Sequence, residues 1–171
     1  LIVTLVTPVY FGGVAILNRK FSASHYWEIA EREGATCGSV VPTILAFLCE
    51  HNEDVSKRDL SKFGFVICGA GPLTVELGKR FEEQSRIPII HGYGLSETTA
   101  YSCFLPFDLP GDEHRRWMRD YGYPSIGVAI GCNEMAIHDM NGNELPPDQK
   151  GEIVIRGQNV MKHYLKRPEA N

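Results

Sequence analysis

No block of like charge occurs anywhere in this sequence. Its 17 basic and 21 acidic residues are interspersed and leave a formal net charge of -4, which gives neither a nucleic-acid footprint nor a polybasic membrane patch and makes a small molecule the expected partner. The densest basic group, His114-Arg115-Arg116 with Arg119, is flanked by Asp112, Glu113 and Asp120 and reads as a solvated helix face. The five cysteines, at positions 37, 49, 68, 103 and 132, are odd in number and form no CxxC pair. Neither a disulfide framework nor a zinc site is therefore expected, and a reducing, cytoplasmic setting fits. The six histidines show no HExxH or paired spacing, so they are read as non-metal. No G-x-G-x-x-G opens a helix with an acidic residue about 20 positions later, which argues against a dinucleotide-dependent oxidoreductase.

Charge is also missing from residues 1–18. Pro8, Gly12 and Gly13 interrupt that run, and its Val, Ile and Thr content favours buried strands over a membrane helix, so no integral span is expected. An initiator Met and a basic leader segment are absent, and the sequence stops at Glu169-Ala170-Asn171 without a terminating element. The chain is accordingly expected to be an internal piece of a longer protein. With 43% hydrophobic and 22% charged residues, the composition is that of an ordinary packed globular protein.

The first hundred residues instead show an alternation of short apolar runs with helical patterns, the signature of βαβ units and a mostly parallel sheet flanked by helices. Strands are predicted at residues 1–6, 14–17, 65–68 and 87–90. Ser22-Ala23-Ser24 caps a predicted helix to about Glu33, Pro42-Thr43 starts a second, and Thr74 caps a third over 75–84, with Val75, Leu77 and Phe81 as its apolar face. From about Asp108 the pattern changes. Pro110-Gly111 opens a polar helix, and strands are predicted at 126–130, 134–138 and 152–156, separated by the turn signals Asn141-Gly142-Asn143 and Pro146-Pro147-Asp148. The expected fold is thus α/β over residues 1–108, followed over 109–171 by a linker helix and a small antiparallel, barrel-like β lobe.

Two glycine-rich loops each come after a predicted strand and before a helical pattern, which in α/β sheets places them at the carboxyl edge where ligands bind. In the first, Gly69-Ala70-Gly71-Pro72-Leu73, small residues would let a flat ring lie against backbone; a plain strand-to-helix turn would look the same. The second is His91-Gly92-Tyr93-Gly94-Leu95-Ser96-Glu97-Thr98-Thr99. It offers an aromatic face between two glycines, then a hydroxyl and a carboxylate at the start of a predicted helix, where backbone amides favour phosphate. A carboxylate beside phosphate oxygens repels them unless a cation intervenes, and Mg²⁺ prefers one or two carboxylates plus phosphate oxygens, so Glu97 would imply Mg²⁺. Glu97 as mere first-turn capping electrostatics remains the alternative.

This second loop resembles the Y-G-x-T-E segment of the adenylate-forming superfamily, which includes acyl-CoA synthetases, luciferase-type enzymes and peptide-synthetase adenylation domains. Phe21-Ser22-Ala23-Ser24 through Val41-Pro42-Thr43 is similar to the family's helix and V-P-T segment, and Gly69 to Leu73 to its G-G-A-P-L loop. Gly151-Glu152-Ile153-Val154-Ile155-Arg156-Gly157 through Tyr164-Leu165-Lys166-Arg167-Pro168-Glu169-Ala170 is similar to its G-E-[IL]-x-[IV]-x-G…GY-x-x-x-P-E-A-T stretch. Ser96 stands where the family usually has Thr, His163 where Gly is common, and Gly69-Ala70-Gly71 reorders the usual small residues.

The resemblance implies that Tyr93 packs on adenine with Gly92 and Gly94 beside it, that Ser96 contacts phosphate and that Glu97 holds Mg²⁺. It also implies that Gly69, Ala70 and Gly71 line the acyl-adenylate pocket through backbone, with Thr43 and His91 beside the acyl group. The implied activity is that of an ATP-dependent ligase, which joins a fatty or aryl carboxylic acid to AMP and transfers it to coenzyme A, with an acyl carrier protein as the alternative acceptor. The family's phosphate loop with its Lys, its ribose-binding Asp and its C-terminal domain with the catalytic Lys would fall outside these 171 residues, so this piece alone is expected to be inactive. A non-catalytic nucleotide-binding or interaction module is the alternative of another class.

Overall fold

The computed structural model describes residues 2–171. Its central element is a five-stranded sheet in the order β1 (Cys37–Val40), β2 (Phe65–Cys68), β3 (Ile89–Gly94), β4 (Tyr101–Phe104) and β5 (Val128–Ala129). β1, β2 and β3 are parallel, and β4 is antiparallel to both of its neighbours, so four strands point one way and β4 alone returns. Helices α2 (Ala23–Arg32), α3 (Pro42–His51), α4 (Val75–Ser85) and α5 (Gly111–Arg119) flank this sheet. A separate antiparallel pair, β6 (Asn133–His138) with β7 (Glu152–Gly157), comes after it in the chain. The α/β class with a mostly parallel sheet and a small antiparallel sheet after it is therefore as expected.

The helices form where the sequence supplies both a start signal and an apolar stripe. In α4, Thr74 is extended and its Oγ1 accepts from the Leu77 amide at 3.2 Å, while Glu76 sits in the first turn and Arg86 ends the helix in the left-handed region. Pro42 occupies the first turn of α3, where its missing N–H costs no hydrogen bond, and Asn52 closes the helix at φ 51°. Their inward faces bury Leu45, Leu48 and Phe81 on a core containing Trp27, Val66, Ile89, Leu105 and Met118. Trp27 stacks on Phe81 with centroids 6.2 Å apart and meets Phe63 edge-on at 5.7 Å. Burying such side chains contributes roughly 1.5–3 kcal/mol each, and this is what holds the strand ends in place.

Several local expectations are corrected. Residues 2–6 form a π-helical turn leading into the short helix α1 (Thr7–Tyr10), not a strand, and residues 14–17 form none; Leu1 lies outside the described residues. β-Propensity reflects fit to a pleated, half-buried surface. No described strand pairs with this stretch, and Val9, Tyr10, Phe11 and Val14 are exposed. β1, not expected from the sequence, is a strand because parallel pairing with β2 supplies its hydrogen bonds. Ser22 precedes α2 but makes no cap bond, its Oγ meeting Ser24 Oγ and His25 Nδ1 instead. The stretch 126–130 is reduced to two strand residues, which pair with β4 in the main sheet and not with β6 or β7.

Candidate active-site groove

Because β1, β2 and β3 are parallel, their carboxyl ends open on the same side, at Val40, Cys68 and Gly94. A groove of about 560 Å³ lies there, with Val40, Val41 and Ile44 on one wall, Ala70 from the first glycine loop, and Gly94, Leu95, Ser96, Thr99, Ala100 and Tyr101 on the other. Ser39 and residues 2–4 complete the lining. The sheet thus brings together two glycine loops that are well separated in the sequence.

The two loops are built differently. Gly69 is packed against Tyr101: a Cβ added there would stand 2.5 Å from Tyr101 Cε1 and 2.8 Å from the Gly92 carbonyl oxygen. The ring that Gly69 admits is therefore the protein's own, that of Tyr101. Tyr101 also lies 2.8 Å from a Cβ built at Gly92, and burial pushes its hydroxyl up to about 12, so it stays protonated. Ala70 holds φ +61°, a left-handed conformation that is costly for a residue with a Cβ. Gly71 has ordinary space, its nearest neighbour being Pro42 Cδ at 3.5 Å.

In the second loop, His91, Gly92, Tyr93 and Gly94 are not loop at all but the end of β3, and no helix comes after them. Ser96–Thr98 is a single 3-10 turn, after which Thr99 at φ +67° reverses the chain into β4. The expected helix N-terminus beside Ser96 is corrected accordingly: the turn has too few aligned peptides to act as a helix dipole, because β4 claims the chain through pairing with β3. Gly94 is required here, since a Cβ would stand 1.8 Å from the Ala100 carbonyl oxygen. Thr98 fixes the turn from inside. Its Oγ1 accepts from the Leu95 amide at 3.0 Å and lies 3.1 Å from the Leu95 carbonyl oxygen.

Of the residues singled out from sequence, Ala70, Gly94 and Ser96 line the groove. Thr43 lies in α3 between the lining residues Val41 and Ile44. Tyr93 is half-buried on β3 opposite Cys103, and its carbonyl accepts from Cys103 Sγ at 3.7 Å. Gly92 is covered by Phe104 and Tyr101. His91 is 6% exposed, and its Nδ1 donates to the Ser125 carbonyl at 2.8 Å. Burial holds its imidazole below the usual range, opposed by the hydrogen bonds to the Ser125 and Pro124 carbonyls, so the ring is neutral near pH 7. Val41, named from sequence in its V-P-T segment, and Leu95 and Thr99 of the second loop also line the groove, whereas Ile44 and Tyr101 were not singled out as site residues; parallel pairing of β1 with β2 and the β3–β4 return put them here.

Glu97 turns toward the segment beyond β7. Its Oε1 accepts from the Tyr164 hydroxyl and its carbonyl from the Met161 amide at 2.7 Å. The Tyr164 hydrogen bond holds the Glu97 carboxyl below the usual glutamate range. Among the described residues no three His, Cys, Asp or Glu side chains gather as a metal cluster. One ionised carboxylate beside a serine hydroxyl does fit a Mg²⁺ that brings phosphate oxygens with it, because such a cation takes most of its ligands from nucleotide and water.

Residues 1–165 match the family model of AMP-binding enzymes. The chain belongs to that family. Relatives within it include a sulfoacetate–CoA ligase of Cupriavidus necator, 33% identical over 99% of this chain and 31% of its own length. A 4-coumarate–CoA ligase of Narcissus pseudonarcissus is 33% identical over 93% of this chain and 28% of its own. Among solved structures, the unliganded O-succinylbenzoate coenzyme A synthetase of Bacillus subtilis superposes with a TM-score of 0.80 at 27% identity, covering 98% of this chain and 32% of that one. An amide bond synthetase of Marinactinospora thermotolerans gives 0.78 at 27% identity, covering 92% and 30%. The chain therefore spans about three tenths of the length of the AMP-binding enzymes it matches. No helix among the described residues is long and apolar enough to cross a membrane.

Proposed function

We propose that this chain is part of an ATP-dependent acid–thiol ligase that activates a fatty or aryl carboxylic acid as acyl-AMP and transfers it to coenzyme A. The observation that carries this is the groove at the carboxyl ends of β1, β2 and β3, which Ala70, Gly94 and Ser96 line together. Relatives whose names are those of CoA ligases support it. The 1–108 portion supplies the groove, and the 109–171 portion supplies the segment that holds Glu97.

A carboxylate is a poor electrophile, so one of its oxygens first attacks the α-phosphorus of ATP and pyrophosphate leaves. The thiol then attacks the acyl carbonyl and AMP leaves. Negative charge grows on phosphate oxygens in the first step, and a donor already in place stabilises it without reorganisation. We assign that donor to the Ser96 hydroxyl, exposed at the groove. Glu97 offers an ionised oxygen to Mg²⁺, which when bound neutralises phosphate charge. The apolar wall of Val40, Val41 and Ile44 fits a hydrocarbon acyl chain, with Thr43 beside it. Half-buried Tyr93 on β3 is assigned to packing on adenine, and buried His91 on the same strand to the wall behind the acyl group.

The test is ATP–pyrophosphate exchange by the full-length protein against short, medium, long and aryl acids, with a Glu97→Gln variant alongside. Exchange with one acid class, falling about 100-fold in the variant, is expected. No exchange with any acid would turn the proposal toward a non-catalytic nucleotide-binding module. The acceptor is tested separately, because the structural neighbours include an amide bond synthetase as well as coenzyme A ligases. Coenzyme A is compared with a carrier protein on the adenylate, and thioester on the carrier alone would overturn the coenzyme A assignment.

A further inference from the structure

The segment beyond β7 closes on the Ser96–Thr98 turn through a set of hydrogen bonds between residues far apart in sequence. Tyr164 Oη donates to Glu97 Oε1, and the Met161 amide donates to the Glu97 carbonyl at 2.7 Å. Asn159 Nδ2 donates to the Thr98 carbonyl at 2.8 Å, and Thr99 Oγ1 donates to the Asn159 carbonyl at 2.8 Å. Every residue from Glu97 to Thr99 is thus held by this strap, through side chain or backbone. A glutamate on a half-exposed turn would otherwise spread over several rotamers. Here one carboxylate oxygen is fixed by the Tyr164 hydroxyl.

We propose that Tyr164 is the positioning residue for Glu97, holding Oε1 so that the carboxylate keeps one rotamer, turned toward the cation that travels with nucleotide. This rests on the metal role proposed for Glu97. A carboxylate oriented by a neighbouring donor binds a cation with less ordering cost, and removing such a donor typically weakens metal affinity without changing the ligand itself. Tyr164 acts through Glu97 and is assigned no contact with nucleotide or acid. Its hydroxyl is the relevant atom, because the residue is 39% exposed and contributes little packing that Phe would not keep.

The experiment uses the full-length protein as wild type, Tyr164→Phe, Glu97→Gln and the double variant. Mn²⁺ is titrated by electron paramagnetic resonance in the presence of α,β-methylene-ATP, and exchange activity is followed against Mg²⁺ concentration. The expected result is Mn²⁺ affinity about 10-fold weaker in Tyr164→Phe, with exchange restored at saturating Mg²⁺ so that KM for the metal rises and kcat holds. No further loss is expected when Tyr164→Phe is added to Glu97→Gln. Unchanged Mn²⁺ affinity in Tyr164→Phe while Glu97→Gln loses it would overturn the positioning role and leave the metal role standing. Unchanged affinity in Glu97→Gln would remove the metal role, and the positioning role with it. Asn159→Ala loosens the same strap by another bond and is expected to weaken Mn²⁺ less than Tyr164→Phe; the reverse order would make the hydroxyl incidental.

Discussion

The two glycine loops begin alike and end differently. Gly69-Ala70-Gly71 leaves β2 and enters the capped helix α4, whereas His91-Gly92-Tyr93-Gly94 stays in β3 and returns through one 3-10 turn into antiparallel β4. Downstream of the first loop lies Thr74 with an amphipathic pattern behind it, and a helix satisfies its own backbone. Downstream of the second lies Tyr101-Ser102-Cys103-Phe104, whose backbone finds partners on β3. A hydroxyl-rich stretch after glycines is therefore ambiguous until the residues beyond it either pair or coil.

That contrast is most sharply broken at the glycines. Gly94→Ala drives a Cβ into the Ala100 carbonyl at 1.8 Å, backbone against backbone, and is expected to cost about 3 kcal/mol in urea unfolding. Gly71→Ala meets Pro42 at 3.5 Å and should stay within about 0.5 kcal/mol. Equal losses at the two would dissolve the distinction. Next in size is the cap: Thr74→Ala removes the 3.2 Å bond to Leu77 and should cost about 1 kcal/mol, with no counterpart loss at Ser96→Ala, whose hydroxyl caps no helix. Smaller again, Ala70→Gly relieves the left-handed backbone at φ +61° and is expected to gain about 0.5 kcal/mol, net of the added freedom of the unfolded chain.

The smallest effect is a titration. The Tyr164 hydroxyl holds the Glu97 carboxyl low, so the folded value lies below the unfolded one. The contribution of that contact is then present above the unfolded value and lost as pH falls through the folded one. Carboxyl NMR in acid should place the Glu97 midpoint lower in wild type than in Tyr164→Phe, and coincident midpoints would mean that the hydroxyl is not bound there.

Much of the fold is legible in the chain itself. Pro42, Thr74, Pro110-Gly111 and the periodicity behind them mark α3, α4 and α5, because caps and apolar stripes are local signals. Phe65–Cys68 and the β6–β7 pair with the Asn141-Gly142-Asn143 turn are equally plain. Residues 2–17 mislead, since Val, Ile and Thr content speaks for a strand only where a partner strand exists, and none of the described strands takes that place. β1 escapes notice for the converse reason: Cys37-Gly38-Ser39-Val40 has little strand character of its own and is a strand because β2 lies beside it.

By itself, then, the sequence determined the α/β class, helices α2 to α5, the family and the two glycine-rich segments that carry Ala70, Gly94, Ser96 and Glu97, since each rests on local patterns in the chain. Tertiary structure alone decided that Tyr101 fills the space between Gly69 and Gly92, that Ser96 opens a 3-10 turn, and that Tyr164 reaches Glu97. Those facts depend on pairing and packing between segments distant in sequence, and no local pattern encodes which partner a strand or a hydroxyl will find.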